Sequence, residues 1–505
     1  MPRYLLLPVN DAKPKQTYFI RTPDGAVVSD FTASYDPDYP AFYAHIDVTR
    51  FGECAVTDEE GRPLPTRPAD RLPSLREIPG GSYLRPAVHF TTTLGWTNDP
   101  NGLVYADGVY HMFSQHNPMS TDWGNMTWGH ATSPDLLHWT DLGDVLFPDE
   151  TGTMFSGSAV VDERNAAGFG KNAILLFYTA AGGANRQSAG VPFTQNLAYS
   201  TDGGKSFTKY EGNPIIPHIT GDNRDPKVQW SDELGKYTLS LYLDGCDYAI
   251  FTSDNLKDWT RLCDVKMPMD NECPDFYPLP ADGGVKWVFS GAHDTYIVGD
   301  LTERGFVPTQ EPLRYMIGPG PSYAAQTFSG TGDRRVKIAW DNVPSPGAVF
   351  HSQMGFPAEM FLKQVDGLWR LGSLPAREIA LLDRSRTETL RFSGSVDYAR
   401  TGPADNRAMA VTVTVGNAPF TLELFGTEIT VDPAKNEFRC GDLTAPLTYT
   451  GERNLLVLAD TLSLELFADS GLIYATRSIL ADRAKGVRLT AENADMTLTV
   501  EELGL

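Results

Sequence analysis

Three short acidic motifs stand in a fixed order along the chain: W-T-N-D-P-N-G at Trp96 to Gly102, R-D-P at Arg224 to Pro226, and E-C-P-D at Glu272 to Asp275. Splitting a glycosidic bond with retention needs one carboxylate to attack the anomeric carbon and a second carboxyl group, kept protonated, to hand a proton to the leaving oxygen. Asp99 and Glu272 are the candidates for that pair, and Asp225 supplies a third carboxylate. Each motif alone also has a plainer reading. N-D-P-N-G is an ordinary turn sequence, and R-D-P suits a surface ion pair at a turn.

Side chains so far apart in sequence need a scaffold that brings them together. At 505 residues the chain exceeds what one hydrophobic core usually organises, and 46 glycines and 36 prolines signal many turns rather than long helices. Short alternating runs at Tyr4 to Val9, Thr17 to Arg21, Ala26 to Thr32, Phe42 to Val48 and Glu53 to Val56 predict a small β module over residues 1–82. A Pro- and Arg-rich stretch, Arg62 to Arg76, and the turn Pro79-Gly80-Gly81 read as its linker. A loose repeat follows: T-S-P-D-L-L-H-W at Thr132 to Trp139, T-S-D-N-L-K-D-W at Thr252 to Trp259, then more faintly Ser200 to Phe207 and Gly299 to Phe306. This spacing suits one four-stranded propeller blade per repeat, each turn closing an outer hairpin, over residues 83–375. From 376 to 505 a helix-compatible piece, Ala376 to Asp383, leads into strands at Ala408 to Val415, Phe420 to Phe425, Leu455 to Ala459 and Ser463 to Ala468. The alternation of Leu462, Leu464 and Leu466 with Ser463, Glu465 and Phe467 predicts half-buried strands of a β-sandwich.

Charge and cysteine usage narrow the partners. With 42 Lys and Arg against 64 Asp and Glu, the net charge of −22 opposes nucleic acid and acidic membrane and favours a neutral ligand. Five cysteines without a C-x-x-C pair argue against a disulfide framework or zinc site and for free thiols in a reducing compartment. The run from Met1 to Val9 is too short for a secretory signal and no apolar stretch is long enough to span a membrane, so a cytoplasmic location is the expectation. His111, His116 and His130 lack metal-ligand spacing and read as packing residues. Cys273 has no histidine beside it in any motif and reads as packing beneath Glu272 rather than as a nucleophile.

Taken in context, the segment Y-L-R-P-A-V-H-F-T-T-T-L-G-W-T-N-D-P-N-G at Tyr83 to Gly102 resembles the opening of the glycoside hydrolase family 32 propeller, the invertases and fructan hydrolases. The resemblance continues in order through Phe113 to Pro118, Trp128 to Trp139, Phe155 to Ala159, Arg224 to Val228, Glu272 to Asp275, Tyr323 to Phe328 and, in the sandwich, Ala459 to Gly471. It implies an all-β fold: a five-bladed β-propeller followed by a C-terminal β-sandwich, here preceded by the small N-terminal β module. It also implies Asp99 as nucleophile, Glu272 as acid/base and Asp225 as transition-state stabiliser, with no cofactor and no metal.

A furanose offers one apolar face and a ring of hydroxyls, so Trp96, Trp123, Phe155 and Trp340 are candidate walls, and Asn98, Gln115, Ser156, Arg224 and Tyr323 candidate polar contacts. Ionised Asp99 requires hydrogen-bond donors, Glu272 requires a raised pKa, and Arg224 should keep Asp225 ionised. Thr97, the segment Gly318 to Phe328 and the segment Gly355 to Met360 depart from the family pattern; they leave all three carboxylates in place and leave the identity of the leaving group open. The resulting expectation is a retaining exo-β-fructosidase acting on fructans, fructo-oligosaccharides and sucrose. Sucrose or sucrose-6-phosphate hydrolysis, endo-levanase action and fructosyl transfer are the enzymatic alternatives, and a non-catalytic fructan-binding protein is the alternative from another class.

Overall fold

The computed structural model describes residues 2–318, 320–447 and 453–505; Met1, in the N-terminal run, and Pro319, in the Gly318 to Phe328 segment, lie outside them. The regular secondary structure is nearly all β, and no described helix is long and apolar enough to cross a membrane.

The N-terminal module consists of two three-stranded antiparallel sheets. In one, Tyr4–Val9 lies between Phe42–Asp47 and Arg67–Ala69; in the other, Gln16–Arg21 lies between Val27–Ala33 and Ala55–Thr57. The stretch read as linker therefore contributes a strand, with Pro68 opposite Leu5 on a sheet edge, where a missing N–H costs no ladder bond. Leu7, Val9, Tyr18, Phe31, Phe42 and Ile46 form its core, and Leu94, Met119 and Val349 from the following domain complete it.

Five sheets follow as propeller blades, each built on four antiparallel strands; the first, fourth and fifth gain a short fifth strand, which in the first, Phe350–His351, pairs parallel. Their first strands are Gly95–Ala106, Thr153–Asp162, Arg224–Ser231, Asp275–Ala281 and Ser322–Thr327. The sequence repeat falls in the hairpins between the third and fourth strands of the first four blades. In the first copy, Asp135 Oδ1 accepts from the backbone N–H groups of Leu137 and His138; in the second, Asn255 Oδ1 accepts from Lys257 and Asp258. Leu136 and Leu256 take φ values of 66° and 63° at the same place in the turn. The repeat is thus a side-chain-capped turn, and its Asp or Asn is what the sequence pattern detects.

A 3₁₀ turn, Arg377–Leu381, leads into the C-terminal β-sandwich, where two 18-residue strands, Asp383–Arg400 and Val487–Gly504, pair along their length. One apolar core, including Val411, Leu422, Phe438, Leu466 and Leu498, lies within it. Ser463–Ala468 is buried on both faces rather than half-buried. Its second face meets the propeller: Phe467 packs with Tyr277, Tyr296 and Met360, and Glu465 accepts from the Phe356 backbone N–H at 2.7 Å. Polar residues on the second face of that strand, which alternation alone assigns to solvent, here serve a domain interface.

Candidate active site

The first strands of four blades, and the residues just before that of the fourth, deliver side chains to one end of the propeller axis. Asp99 comes from the first blade, Ser156 from the second, Arg224 and Asp225 from the third, and Tyr323 from the fifth. Glu272 stands just before the first strand of the fourth. A regular strand would point these residues into the neighbouring blades, so the backbone departs from regularity at each. Register shifts fall at Asn98/Pro100, Phe155/Gly157, Arg224/Lys227 and Tyr323/Gln326. Asp225, Glu272, Cys273 and Ala324 have φ of 66°, 51°, 37° and 51°. Such bulges and left-handed residues re-aim side chains at a cost that the surrounding sheets must sustain. Gly157 is required at its bulge, because a Cβ there would lie 1.9 Å from the Phe177 carbonyl oxygen.

These residues line a cleft of about 450 Å³ with Asn98, Gln115, Trp123, Phe155, Phe193, Asp222 and Trp340. Asn98 Nδ2 donates to Asp99 Oδ1 at 3.1 Å, and Ser156 Oγ donates to Asp99 Oδ2 at 2.6 Å. Asp99 therefore has the two donors that its ionised form requires. Burial and the Glu272 charge nevertheless raise its pKa above the ordinary value, with the two donors acting in the opposite direction.

Arg224 lies between the other two carboxylates, with Nε 3.7 Å from Asp225 Oδ2 and Nη2 3.4 Å from Glu272 Oε2. The guanidinium sits 4.7 Å over the Tyr242 ring and donates to the Asp222 carbonyl at 2.8 Å. It does not keep Asp225 ionised in the way expected. Burial pushes the Asp225 carboxyl up to about 7; Glu272 and Asp99 add to that rise, and together these effects outweigh Arg224 and the Cys273 N–H, which donates at 2.9 Å. On Glu272, Tyr323 OH donates to Oε1 at 3.0 Å, and Tyr248 OH donates to the backbone carbonyl at 3.2 Å.

Cys273 is buried with Sγ 3.5 Å from both Asp99 Oδ2 and Asp225 Oδ2, and burial with those charges raises its thiol well above the usual range. It is a neutral wall beneath the carboxylates, not a thiolate. Asp225, Glu272 and Cys273 do place three ligand-type atoms within 4.8 Å of one another. The guanidinium against both carboxylates and the un-ionised thiol make that group a poor cation site.

Of the sequence candidates, only Trp96 stands outside the cleft. It lies behind the wall, donating from Nε1 to Asn98 Oδ1 at 2.8 Å, stacked on His351 at 4.5 Å and edge-on to Trp340 at 5.8 Å. Its role is to orient Asn98, which in turn donates to Asp99. Phe193 and Asp222 line the cleft without having been singled out. Asp222 could have been found two residues before the R-D-P motif, whereas Phe193 carries no pattern. His111 and His130 stack at 5.3 Å inside the first blade, and His116 bonds Asp144 at 2.6 Å, so all three are structural.

Residues 89–368 match the model of the glycosyl hydrolases family 32 N-terminal domain. The chain is 33% identical over 485 residues to a levanase of Bacillus subtilis (strain 168), covering 83% of this chain and 70% of the levanase. The crystal structure of an exo-inulinase from Aspergillus awamori superposes with a TM-score of 0.73 at 27% identity, over 83% of this chain and 98% of that one. The structure of a β-fructofuranosidase from Schwanniomyces occidentalis, complexed with fructosyl-erythritol, also gives 0.73, at 25% identity, over 85% and 99%.

Proposed function

The chain belongs to glycosyl hydrolase family 32, and from that premise we propose how its three carboxylates divide the work. The protein is a β-fructofuranosidase that releases terminal fructosyl units from fructans and sucrose, as the levanase, exo-inulinase and β-fructofuranosidase relatives indicate. The observation that carries the mechanism is the convergence of Asp99, Asp225 and Glu272 on one cleft, each with a different set of partners.

Asp99, held by Ser156 and Asn98, attacks the anomeric carbon of the terminal fructosyl residue. Glu272, in its protonated form, gives its proton to the leaving oxygen; then, as carboxylate, it takes a proton from the water that frees fructose from Asp99. Tyr323 and Arg224 hold the Glu272 carboxyl in place for both steps. Asp225 faces the sugar hydroxyls, and hydrogen bonds there strengthen as the ring acquires positive charge. Burial and the neighbouring charges push Asp225 up to about 7 and Asp99 in the same direction, so the carboxylates titrate as one cluster rather than as separate residues.

The test is product chromatography after separate incubation with sucrose, an inulin-type oligosaccharide and levan. Free fructose from the outset, together with chains shortened one unit at a time, is expected from both fructans, whereas oligosaccharides cut from within levan ahead of free fructose would overturn the exo assignment. The five unpaired cysteines support a reducing, cytoplasmic setting, and recovery of the activity from the extracellular fraction would refute it.

A further inference from the structure

The N-terminal module precedes the matched family model, which begins at residue 89, yet its carboxylates reach the loops that carry the cleft's aromatic wall. That wall is a continuous edge-to-face row: Trp123 against Phe155 at 6.0 Å, and Phe155 against Phe193 at 5.5 Å. Phe155 sits on a propeller strand, but Trp123 and Phe193 belong to the irregular segments 118–126 and 182–193. Both segments are tied to the module.

Asp11 accepts three hydrogen bonds from the first segment: Ser120 Oγ at 2.7 Å, the Thr121 N–H at 2.8 Å and Thr121 Oγ1 at 2.8 Å. Asn125, in the left-handed region at φ 47°, exchanges two 2.8 Å bonds with the Thr32 backbone, and Met119 inserts into the module core. On the second segment, buried Asp30 accepts from the backbone N–H groups of Arg186 and Gln187 at 3.2 and 3.3 Å, and the Arg186 guanidinium lies 5.3 Å over Phe19. Trp123 is 54% exposed at the mouth while the carboxylates lie within, so it faces whatever part of a substrate projects beyond the terminal unit.

The geometry points to Asp11 and Asp30 as positioning residues of the active site: the module fixes the Trp123–Phe193 wall and thereby sets affinity for the sugars beyond the cleaved fructosyl unit. This rests on the fructosidase reading of the cleft. Asp11 and Asp30 touch neither substrate nor carboxylates. Their removal loosens the wall and leaves the Asp99 and Glu272 geometry intact, so the effect appears in KM for longer substrates rather than in kcat.

Asp11→Ala and Asp30→Ala, with Asp11→Asn as the conservative variant, are compared on sucrose and on a trisaccharide fructan, with thermal melting to verify folding. KM for the trisaccharide is expected to rise about five- to twenty-fold in the alanine variants, with sucrose less affected, kcat within about two-fold, and partial recovery in Asp11→Asn, which keeps one acceptor. In a Trp123→Ala background, Asp11→Ala should add nothing, since it acts through Trp123. Acrylamide quenching of the Trp123 fluorescence, taken as the difference from Trp123→Phe, should increase in Asp11→Ala without any substrate. If the wild-type protein cleaves neither sugar, the fructosidase reading fails, and this quenching still decides whether the module positions Trp123. Unchanged KM and quenching in folded variants, or independent effects of Asp11→Ala and Trp123→Ala, would overturn the proposal.

Discussion

Replacing Asp225 with asparagine should remove a pH-dependent loss of stability while it destroys activity. The carboxyl is 3% exposed, and its pKa rises from the ordinary 3.8 to about 7 because burial and two neighbouring carboxylates disfavour its charge. A group whose native pKa is raised keeps its proton in the folded protein while the unfolded chain already ionises. Stability is therefore full below pH 4, falls as pH rises from about 4 to 7, and levels off above the folded value. At about 1.4 kcal/mol per pH unit the rise corresponds to about 4 kcal/mol. An asparagine side chain cannot ionise, so the variant escapes that loss; its amide oxygen also remains an acceptor for the Cys273 N–H. Thermal melting of both proteins at pH 5, 6, 7 and 8 measures it. About 3 kcal/mol of this falls between pH 5 and 7, so the melting temperature of Asp225→Asn relative to wild type should climb by about 3 °C over that range, whatever constant offset the substitution adds. The kcat should fall at least about 100-fold. A difference in melting temperature that stays flat from pH 5 to 8 would refute the burial argument.

Ser156→Ala removes the 2.6 Å donor to Asp99 and should lower kcat about ten-fold with little change in melting temperature; an unchanged kcat would remove Ser156 from the mechanism. His89, buried between Asp460 and Glu465 at 2.8 Å on each side, ties the propeller to the sandwich; His89→Leu should destabilise by about 3–5 kcal/mol, seen as a lower melting temperature with near-normal kcat at low temperature. The same histidine has its pKa raised to about 10 by its two carboxylate partners against the effect of burial, so its contribution is present in full below its ordinary 6.5 and is lost as pH approaches 10. Wild type should lose more stability than His89→Leu between pH 8 and 10, and parallel losses would contradict the pairing.

The site was legible in the sequence where backbone irregularity demanded particular residue types. Pro100 and Gly102 beside Asp99, and Pro226 beside Asp225, mark bulged or turned backbone, and such residues stand out in a strand-rich chain. The repeat turns were legible for the same reason, through the Asp135 and Asn255 caps. What escaped depends on three-dimensional context. Trp96 has the residue type of a sugar platform, but only the fold reveals that its indole faces Asn98 and His351. Phe193 belongs to the wall because a loop anchored on Asp30 carries it there. Arg224, adjacent in sequence, favours an ionised Asp225; desolvation, which no motif encodes, opposes it and carries the carboxyl up to about 7. Glu465 alternates like a solvent-facing residue, and its partners His89 and Tyr474 lie outside its own strand.

In the mechanism proposed, Asp99 and Glu272 cleave fructosides through a fructosyl-enzyme with retention. The most direct measurement is proton NMR of products formed from sucrose in buffer containing methanol, which intercepts the intermediate before released fructose can change anomeric form. Methyl β-D-fructofuranoside is expected from the wild type and no product from Asp99→Asn. Formation of the α-anomer, or wild-type turnover by Asp99→Asn, would contradict that mechanism.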